Sequence, residues 1–281
     1  MKKRNKKKIF SFVVFLLLSL VSFYFYKEED FTVSSNLKIY YLDVGQADST
    51  LLINNGKTML IDTGNYDDTK FVIGYLNNLG IKKIDYLIGT HPHEDHIGSM
   101  ASIIKNFDID KIYMPDVVTT TSFFENVLIE VKNKGYFIET PKEGDSFNLG
   151  EAVVDVLYLD NDEDNFNDDS IILRVRFGSN KFLFMGDASS KVEERILNKN
   201  LSADILKVGH HGSSTSTSDE FLKYVNPKYA IISVGKNNSY GHPSELVLKR
   251  LNDKNISILR TDECGTIVVE SDGNNIKFLE E

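Results

Sequence analysis

Six consecutive positions, His91-Pro92-His93-Glu94-Asp95-His96, hold three of the chain's six histidines and two carboxylates, and no other stretch restricts the possible fold so tightly. The flanking sequence DYLIGT is rich in β-formers and ends as a strand, whereas IGSMASII carries apolar residues at helical spacing. The histidines therefore occupy the loop between a strand and a helix, where functional side chains are commonly presented. Two apart in an extended turn, His91 and His93 can aim their rings at one point, while Asp95 and His96 aim at a neighbouring one. Such spacing predicts two adjacent metal positions. Imidazole and carboxylate without thiolate suit zinc, and also manganese or iron. The single cysteine, Cys264, excludes both a cysteine-rich zinc site and an internal disulfide framework, and no disulfide-linked partner is expected.

The surrounding pattern is that of an α/β chain. Strands are predicted at LKIYYLDV, STLLIN, KTMLID, DYLIGT and KIYMP, and helices over 69–79, 97–107 and 122–134. A second series follows: VVDVLYL, then SIILRVRF and KFLFMGD joined by a Gly178-Ser179-Asn180 turn, a helix over 191–198, DILKV, YAIISV, a helix from Pro243 or Ser244 to Leu251, and closing strands SILRT, GTIVVE and NIKFL. Two strand-and-helix halves of this kind predict an αββα sandwich. With 281 residues, 41% of them hydrophobic, the chain can bury a full core. Its net charge of −9 argues against a generic polyanion-binding surface.

The first 36 residues differ in composition. Residues 1–8 form a basic tail, residues 9–26 contain no charge, and 27–36 read as a linker to a domain over 37–281. Eighteen helical residues span roughly 27 Å, near the thickness of a bilayer core. The run ends in Phe23-Tyr24-Phe25-Tyr26 and has no small-x-small cleavage site, so an uncleaved transmembrane signal anchor is predicted. The basic tail then stays in the cytoplasm and the domain lies outside the cell, on a single-pass membrane protein.

His91-x-His93-x-Asp95-His96 resembles the signature of the metallo-β-lactamase superfamily. Two later stretches agree with it: Phe182 to Asp187 (FLFMGD) and Asp204 to Gly212 (DILKVGHHG). The resemblance implies an αββα metallo-β-lactamase sandwich holding two divalent metal ions. The first would take His91, His93 and Asp187. The second would take Asp95, His96, the bridging Asp187 and one of the pair His210 and His211. With His210 as the ligand, His211 is left to donate to developing charge, as His242 in NSYGHPS can from a neighbouring loop. More narrowly, Leu42-Asp43-Val44-Gly45-Gln46-Ala47-Asp48, Ile61-Asp62-Thr63-Gly64, Gly209-His210-His211-Gly212-Ser213 and Tyr240-Gly241-His242-Pro243-Ser244 are similar to the ComEC-like branch. That branch includes the extracellular hydrolase domain of a DNA-uptake channel, and its DVGQ-x-D opening is shared with secreted phosphorylcholine esterases. The resemblance covers roughly residues 37–280. The channel's many membrane spans are absent, so transport is not expected.

One departure stands out. Lactamases and glyoxalases of the superfamily carry a further histidine ligand before the bridging residue, yet none lies between His96 and His210 here, and Asn167-Asp168-Asp169-Ser170 occupies that place. Three protein ligands leave an open coordination position, the pattern of a catalytic site. Asp43 or Asp48, and likewise Asp62, are expected to support ligand histidines from behind, and Gly45 to permit a tight turn; Glu94 is expected to face solvent. A carboxylate bridge favours oxygen-rich substrates, which points to a membrane-anchored metal-dependent hydrolase of phosphodiesters, with DNA or a phosphorylated cell-surface component as substrate. Phosphorylcholine-ester hydrolysis, β-lactam hydrolysis and a surface binding module without chemistry are the alternatives.

Overall fold

The computed structural model describes residues 35–161 and 165–280. The anchor expected over 9–26, the basic tail before it and most of the linker lie outside these residues. Among the described residues no helix is long and apolar enough to cross a membrane.

Two mixed sheets make the framework. The first runs in the order β15-β14-β1-β2-β3-β4-β5-β6, with β1 Leu37–Tyr41, β2 Thr50–Asn54, β3 Lys57–Ile61, β4 Lys83–Ile88, β5 Asp108–Tyr113, β6 Ile138–Glu139, β14 Ile267–Ser271 and β15 Ile276–Leu279. The second runs β13-β12-β11-β10-β9-β8-β7, with β7 Ser146–Leu149, β8 Ala152–Tyr158, β9 Ile172–Phe177, β10 Asn180–Phe184, β11 Ile205–Lys207, β12 Tyr229–Ile232 and β13 Ser257–Arg260. Helices α1 Thr69–Asn78, α2 Glu94–Ile97, α3 Met100–Asn106 and α4 Ser122–Lys134 follow strands of the first sheet. Helices α5 Ser190–Arg195, α6 Asp219–Val225, α7 Glu245–Asp253 and α8 Thr261–Cys264 belong to the second half.

Period-two side-chain alternation sorts each strand between two cores. Leu51 faces outward into the core it shares with Val72, Ile103 and Val127 of the helices, while its neighbour Leu52 faces inward. Phe182 and Ile205 meet Leu52 and Ile39 between the sheets, and Leu183 and Leu206 meet Val192, Phe221 and Leu251 on the far side. Because both faces of each sheet are covered, the strands read as nearly continuous apolar runs. The αββα sandwich expected from the sequence is the fold.

Helix α4 begins and ends where its caps dictate. The Thr121 side chain accepts from the Phe124 backbone N–H, and Gly135 closes the helix at φ 70°. The helix expected over 97–107 is instead two pieces. A single turn, α2, carries Asp95 and His96, and α3 starts only at Met100. The break keeps Gly98 tight against the β3–α1 loop: a Cβ there would lie 2.4 Å from the Tyr66 nitrogen.

Candidate metal centre

The predicted ligands converge from the carboxyl ends of β4, β10 and β11. Backbone hydrogen bonds pin the first of these loops: the Asp48 N–H donates to the Asp95 carbonyl at 3.0 Å and the Thr63 N–H to the His96 carbonyl at 2.7 Å. Asp187 follows β10 across Gly186, whose φ is +52° and where a Cβ would lie 2.8 Å from Ser170 Oγ. The Asp187 N–H donates to that same hydroxyl at 3.0 Å. His210 and His211 follow β11 in a 3₁₀ turn, Gly209–Gly212, and both have left-handed backbones, φ 50° and 52°. Non-glycine residues rarely adopt this region, and here it splays two adjacent imidazoles to different sides of Asp187.

The two oxygens of Asp187 face different partners. Oδ1 lies 3.4 Å from His96 Nε2 and 3.8 Å from His211 Nε2, whereas Oδ2 lies 3.6 Å from His210 Nε2 and 3.9 Å from His91 Nε2. Ligand atoms of Asp95, His96, Asp187 and His211 all fall within 4.8 Å of one another. His91 Nε2 and His93 Nδ1 are 3.0 Å apart and form the other group. The sequence leaves open which of His210 and His211 joins His96, with His210 taken first; in the structure it is His211 that lies beside Asp95 and His96. His211, with a side chain 2% exposed, completes the Asp95-His96 cluster, and His210, at 25%, stands on the Oδ2 side toward the cleft. The left-handed turn decides this, and nothing in the letters HH announces it.

Three of the ligand rings are held from their far sides. His96 Nδ1 contacts Asp62 Oδ2 at 2.8 Å, His211 Nδ1 contacts the Ser233 carbonyl at 3.0 Å, and His91 Nδ1 lies 3.2 Å from Thr90 Oγ1 and 3.3 Å from Ser170 Oγ. Asp62 also accepts from the Thr90 N–H and hydroxyl, both at 2.8 Å. Outer partners of this kind fix the tautomer and aim the inner nitrogen. Asp62 and Asp48 thus support ligands as expected, Asp48 Oδ1 lying 3.4 Å from His211 Nδ1. Asp43 does not: it is exposed and accepts from the Gly45 N–H. Glu94 is exposed at the cleft mouth.

Electrostatics show what the site attracts. Burial alone would lift the Asp187 carboxyl, but the charges of His96 and His211 hold it well below the usual range. Asp95 is likewise depressed against burial, by His96 and a hydrogen bond to His211. In return, His96 is raised well above an ordinary histidine by Asp187, Asp62 and Asp95, and His211 is raised chiefly by Asp187 and Asp48, in both cases against burial. His91, His93 and His242 are lowered, first by burial. The carboxylates therefore draw positive charge to the centre. His96 Nε2 and Asp187 Oδ1 are fully buried, face one another and have no hydrogen-bond partner among the described residues, which is costly unless a cation satisfies them. This donor set fits a dinuclear metal centre.

A cleft of about 320 Å³ opens onto the centre, lined by His93, Asp95, Asp187 and His211 on its floor and by Gln46, Asn167, His210, Tyr240 and His242 around it. Asn167 thus stands beside His93, in the segment that replaces the missing histidine ligand. Lys207 is a site residue that the sequence motifs do not reveal. It is the last inward position of β11, with Nζ 2.8 Å from Asp48 Oδ2 and a side chain 3% exposed. A lysine two residues after Ile205, at the same strand face, was the available signal.

Comparison with known proteins agrees with this centre. The family profile described as "Metallo-beta-lactamase superfamily" matches residues 42–236. ComE operon protein 3 of Bacillus subtilis (strain 168) is 34% identical over 256 residues, covering 84% of this chain and 33% of that protein. Competence protein ComA of Neisseria gonorrhoeae is 32% identical, over 80% of this chain and 31% of its own length. The chain spans about a third of the length of these relatives. Among solved structures, the metallo-beta-lactamase fold protein YhfI from Bacillus subtilis superposes with a TM-score of 0.59 at 14% identity, covering 84% of this chain and all of that one. By profile, by relatives and by the centre it builds, the chain belongs to the metallo-beta-lactamase superfamily, as a metal-dependent hydrolase related to the competence proteins.

Proposed function

We propose that the protein is a phosphodiester hydrolase held at the outer face of the cell membrane by residues 9–26. The observation that carries the reading is Asp187, whose two oxygens are shared between two histidine groups. His91 Nε2, His93 Nδ1 and Asp187 Oδ2 would hold one divalent ion, and Asp95, His96 Nε2, Asp187 Oδ1 and His211 Nε2 the other, with zinc or manganese suited to the donors. When bound, such a pair supplies a water acidified toward neutrality and charge to hold the oxygens of an in-line displacement. The chain's own residues do the rest. Asp62, Ser233 and Thr90 keep the inner ring nitrogens free to ligate, His210 and His242 flank the mouth where a phosphoryl group would enter, and Asn167 supplies an amide to orient it.

A carboxylate bridge and a rim of imidazoles and amides able to donate to phosphoryl oxygens favour a phosphodiester over a β-lactam amide. The net charge of −9 favours a small or local substrate over a long polyanion tracked along a basic groove. Membrane placement is supported by the basic tail and the uncharged run that follows it. Residues 31–281, supplied with zinc or manganese, are expected to hydrolyse bis-p-nitrophenyl phosphate. Parallel assays with p-nitrophenylphosphorylcholine and single-stranded DNA rank the substrate class. Turnover of nitrocefin in place of all three refutes the phosphodiester reading.

A further inference from the structure

His242 reaches the cleft from a loop that belongs to neither metal-ligand group, and its far side is held by Gln46. Gln46 Nε2 lies 3.4 Å from His242 Nδ1, and Gln46 Oε1 accepts from the Gly235 backbone N–H at 3.1 Å. A backbone N–H can only donate, so the Gln46 atom facing it must be the oxygen, and the atom facing His242 must be the NH₂. An amide NH₂ can only donate, so His242 Nδ1 must accept. The ring proton then sits on Nε2, which makes no hydrogen bond among the described residues. An imidazolium would set Nδ1–H against the amide N–H, so this contact disfavours that state as well.

The arrangement is rigid on both sides. A Cβ at Gly235 would lie 2.6 Å from the Gln46 backbone nitrogen, so the two loops touch at van der Waals limits. Asn65 Nδ2 donates to the Gln46 carbonyl at 3.3 Å. Asn238 Oδ1 accepts from the His242 and Tyr240 N–H groups at 3.0 and 3.1 Å, and its Nδ2 donates to the His242 carbonyl at 2.6 Å. The Tyr240 ring stacks on His242 with centroids 5.7 Å apart and planes 23° apart.

We propose that Gln46 is a positioning residue that fixes His242 as the neutral Nε2–H tautomer, so that His242 acts in the reaction solely as a hydrogen-bond donor to a non-bridging phosphoryl oxygen. It neither accepts a proton nor ligates a metal through Nε2. The identity of the acceptor rests on the phosphodiester reading above; the tautomer does not. Preorganised donors of this kind, aimed at developing charge, act without reorganising during the reaction.

The test is long-range ¹H–¹⁵N correlation on the full-length, zinc-loaded chain in detergent micelles with ¹⁵N-histidine, His242 being assigned by its loss in His242→Gln. The wild type is expected to show a pyridine-like Nδ1 and a pyrrole-like Nε2. Gln46→Glu, which presents a carboxylate to Nδ1, is expected to reverse that pattern, to lower kcat for bis-p-nitrophenyl phosphate about 100-fold with little change in KM, and to retain both zinc ions. An Nδ1–H signature in the wild type overturns the inference before any variant is made, and so does an unmoved tautomer in folded Gln46→Glu. The expected signature in a wild type that turns over no phosphodiester refutes the proposed reaction and the donor role with it, while leaving Gln46 as the determinant of the tautomer.

Discussion

Replacing Lys207 by methionine removes a charge from between the sheets without opening a cavity. In the native protein Lys207 Nζ donates to Asp48 Oδ2 at 2.8 Å and to the Val208 carbonyl at 3.3 Å, with both charged side chains no more than 5% exposed. Methionine keeps the length of the stem but leaves Asp48 as a buried carboxylate without its ammonium. Breaking a buried pair from one side typically costs about 3–5 kcal/mol. The lower end is expected here, because Asp48 Oδ1 has a second neighbour able to carry charge, His211 Nδ1 at 3.4 Å. At about 2–4 °C per kcal/mol for a domain of this size, a loss of about 3 kcal/mol lowers Tm by about 6–12 °C. Calorimetry and urea unfolding measure the loss. Adding Asp48→Asn to Lys207→Met removes the stranded charge and is expected to recover more than half of the stability. A Lys207→Met chain within about 1 kcal/mol of wild type, or a double variant no more stable than the single one, refutes the reasoning.

Asp187→Ala is expected to lose both metals and all hydrolysis; elemental analysis giving one ion per chain would mean that the bridge has been assigned wrongly. Asp155 accepts from Arg176 Nε at 2.7 Å and from Arg174 Nη2 at 3.0 Å, and these guanidiniums overcome burial to hold its carboxyl at about 2, below its ordinary 3.8. Because the folded value is depressed, the stabilisation is complete above about pH 4 and is lost as pH falls through about 2. Urea titrations of wild type and Asp155→Ala should therefore differ by about 3 kcal/mol at pH 7 and converge toward pH 2. Gly98→Ala puts a methyl 2.4 Å from the Tyr66 nitrogen and 2.6 Å from the Glu94 carbonyl. It should cost about 1–3 kcal/mol and weaken metal binding, because α2 carries Asp95 and His96; unchanged affinity by calorimetric titration would contradict this.

What could be read from the sequence follows physical lines. Helix α4 was legible to the residue because periodicity, the Thr121 cap and Gly135 agree. Helix α6 is hidden in the sequence by the polar run STSTS before it, although Ser218 caps it by accepting from the Phe221 N–H, with Asp219 and Glu220 in its first turn. Strand β7 has four residues on a sheet edge and no alternation strong enough to mark it. At the centre, the identity of the ligand-bearing segments was legible because the residue types are costly to crowd for any other purpose. The division of labour between His210 and His211 was not, since it depends on two consecutive left-handed residues. Nor was the place of Gln46, whose role comes from a contact with Gly235, far along the chain.

The strand order of the first sheet also bears on how the protein is made. Strand β1 lies between β2, which follows it directly, and β14, which comes from more than 220 residues further along the chain, with Leu37 opposite Ser271. A nascent chain that has emerged through β13 still lacks one of the two neighbours of β1, so the first sheet is incomplete until β14 arrives. During synthesis this delay leaves the first sheet open beside β1. It also exposes β1 as a bare apolar edge, and a chain truncated before Ile267 would keep that edge permanently, as a template for aggregation.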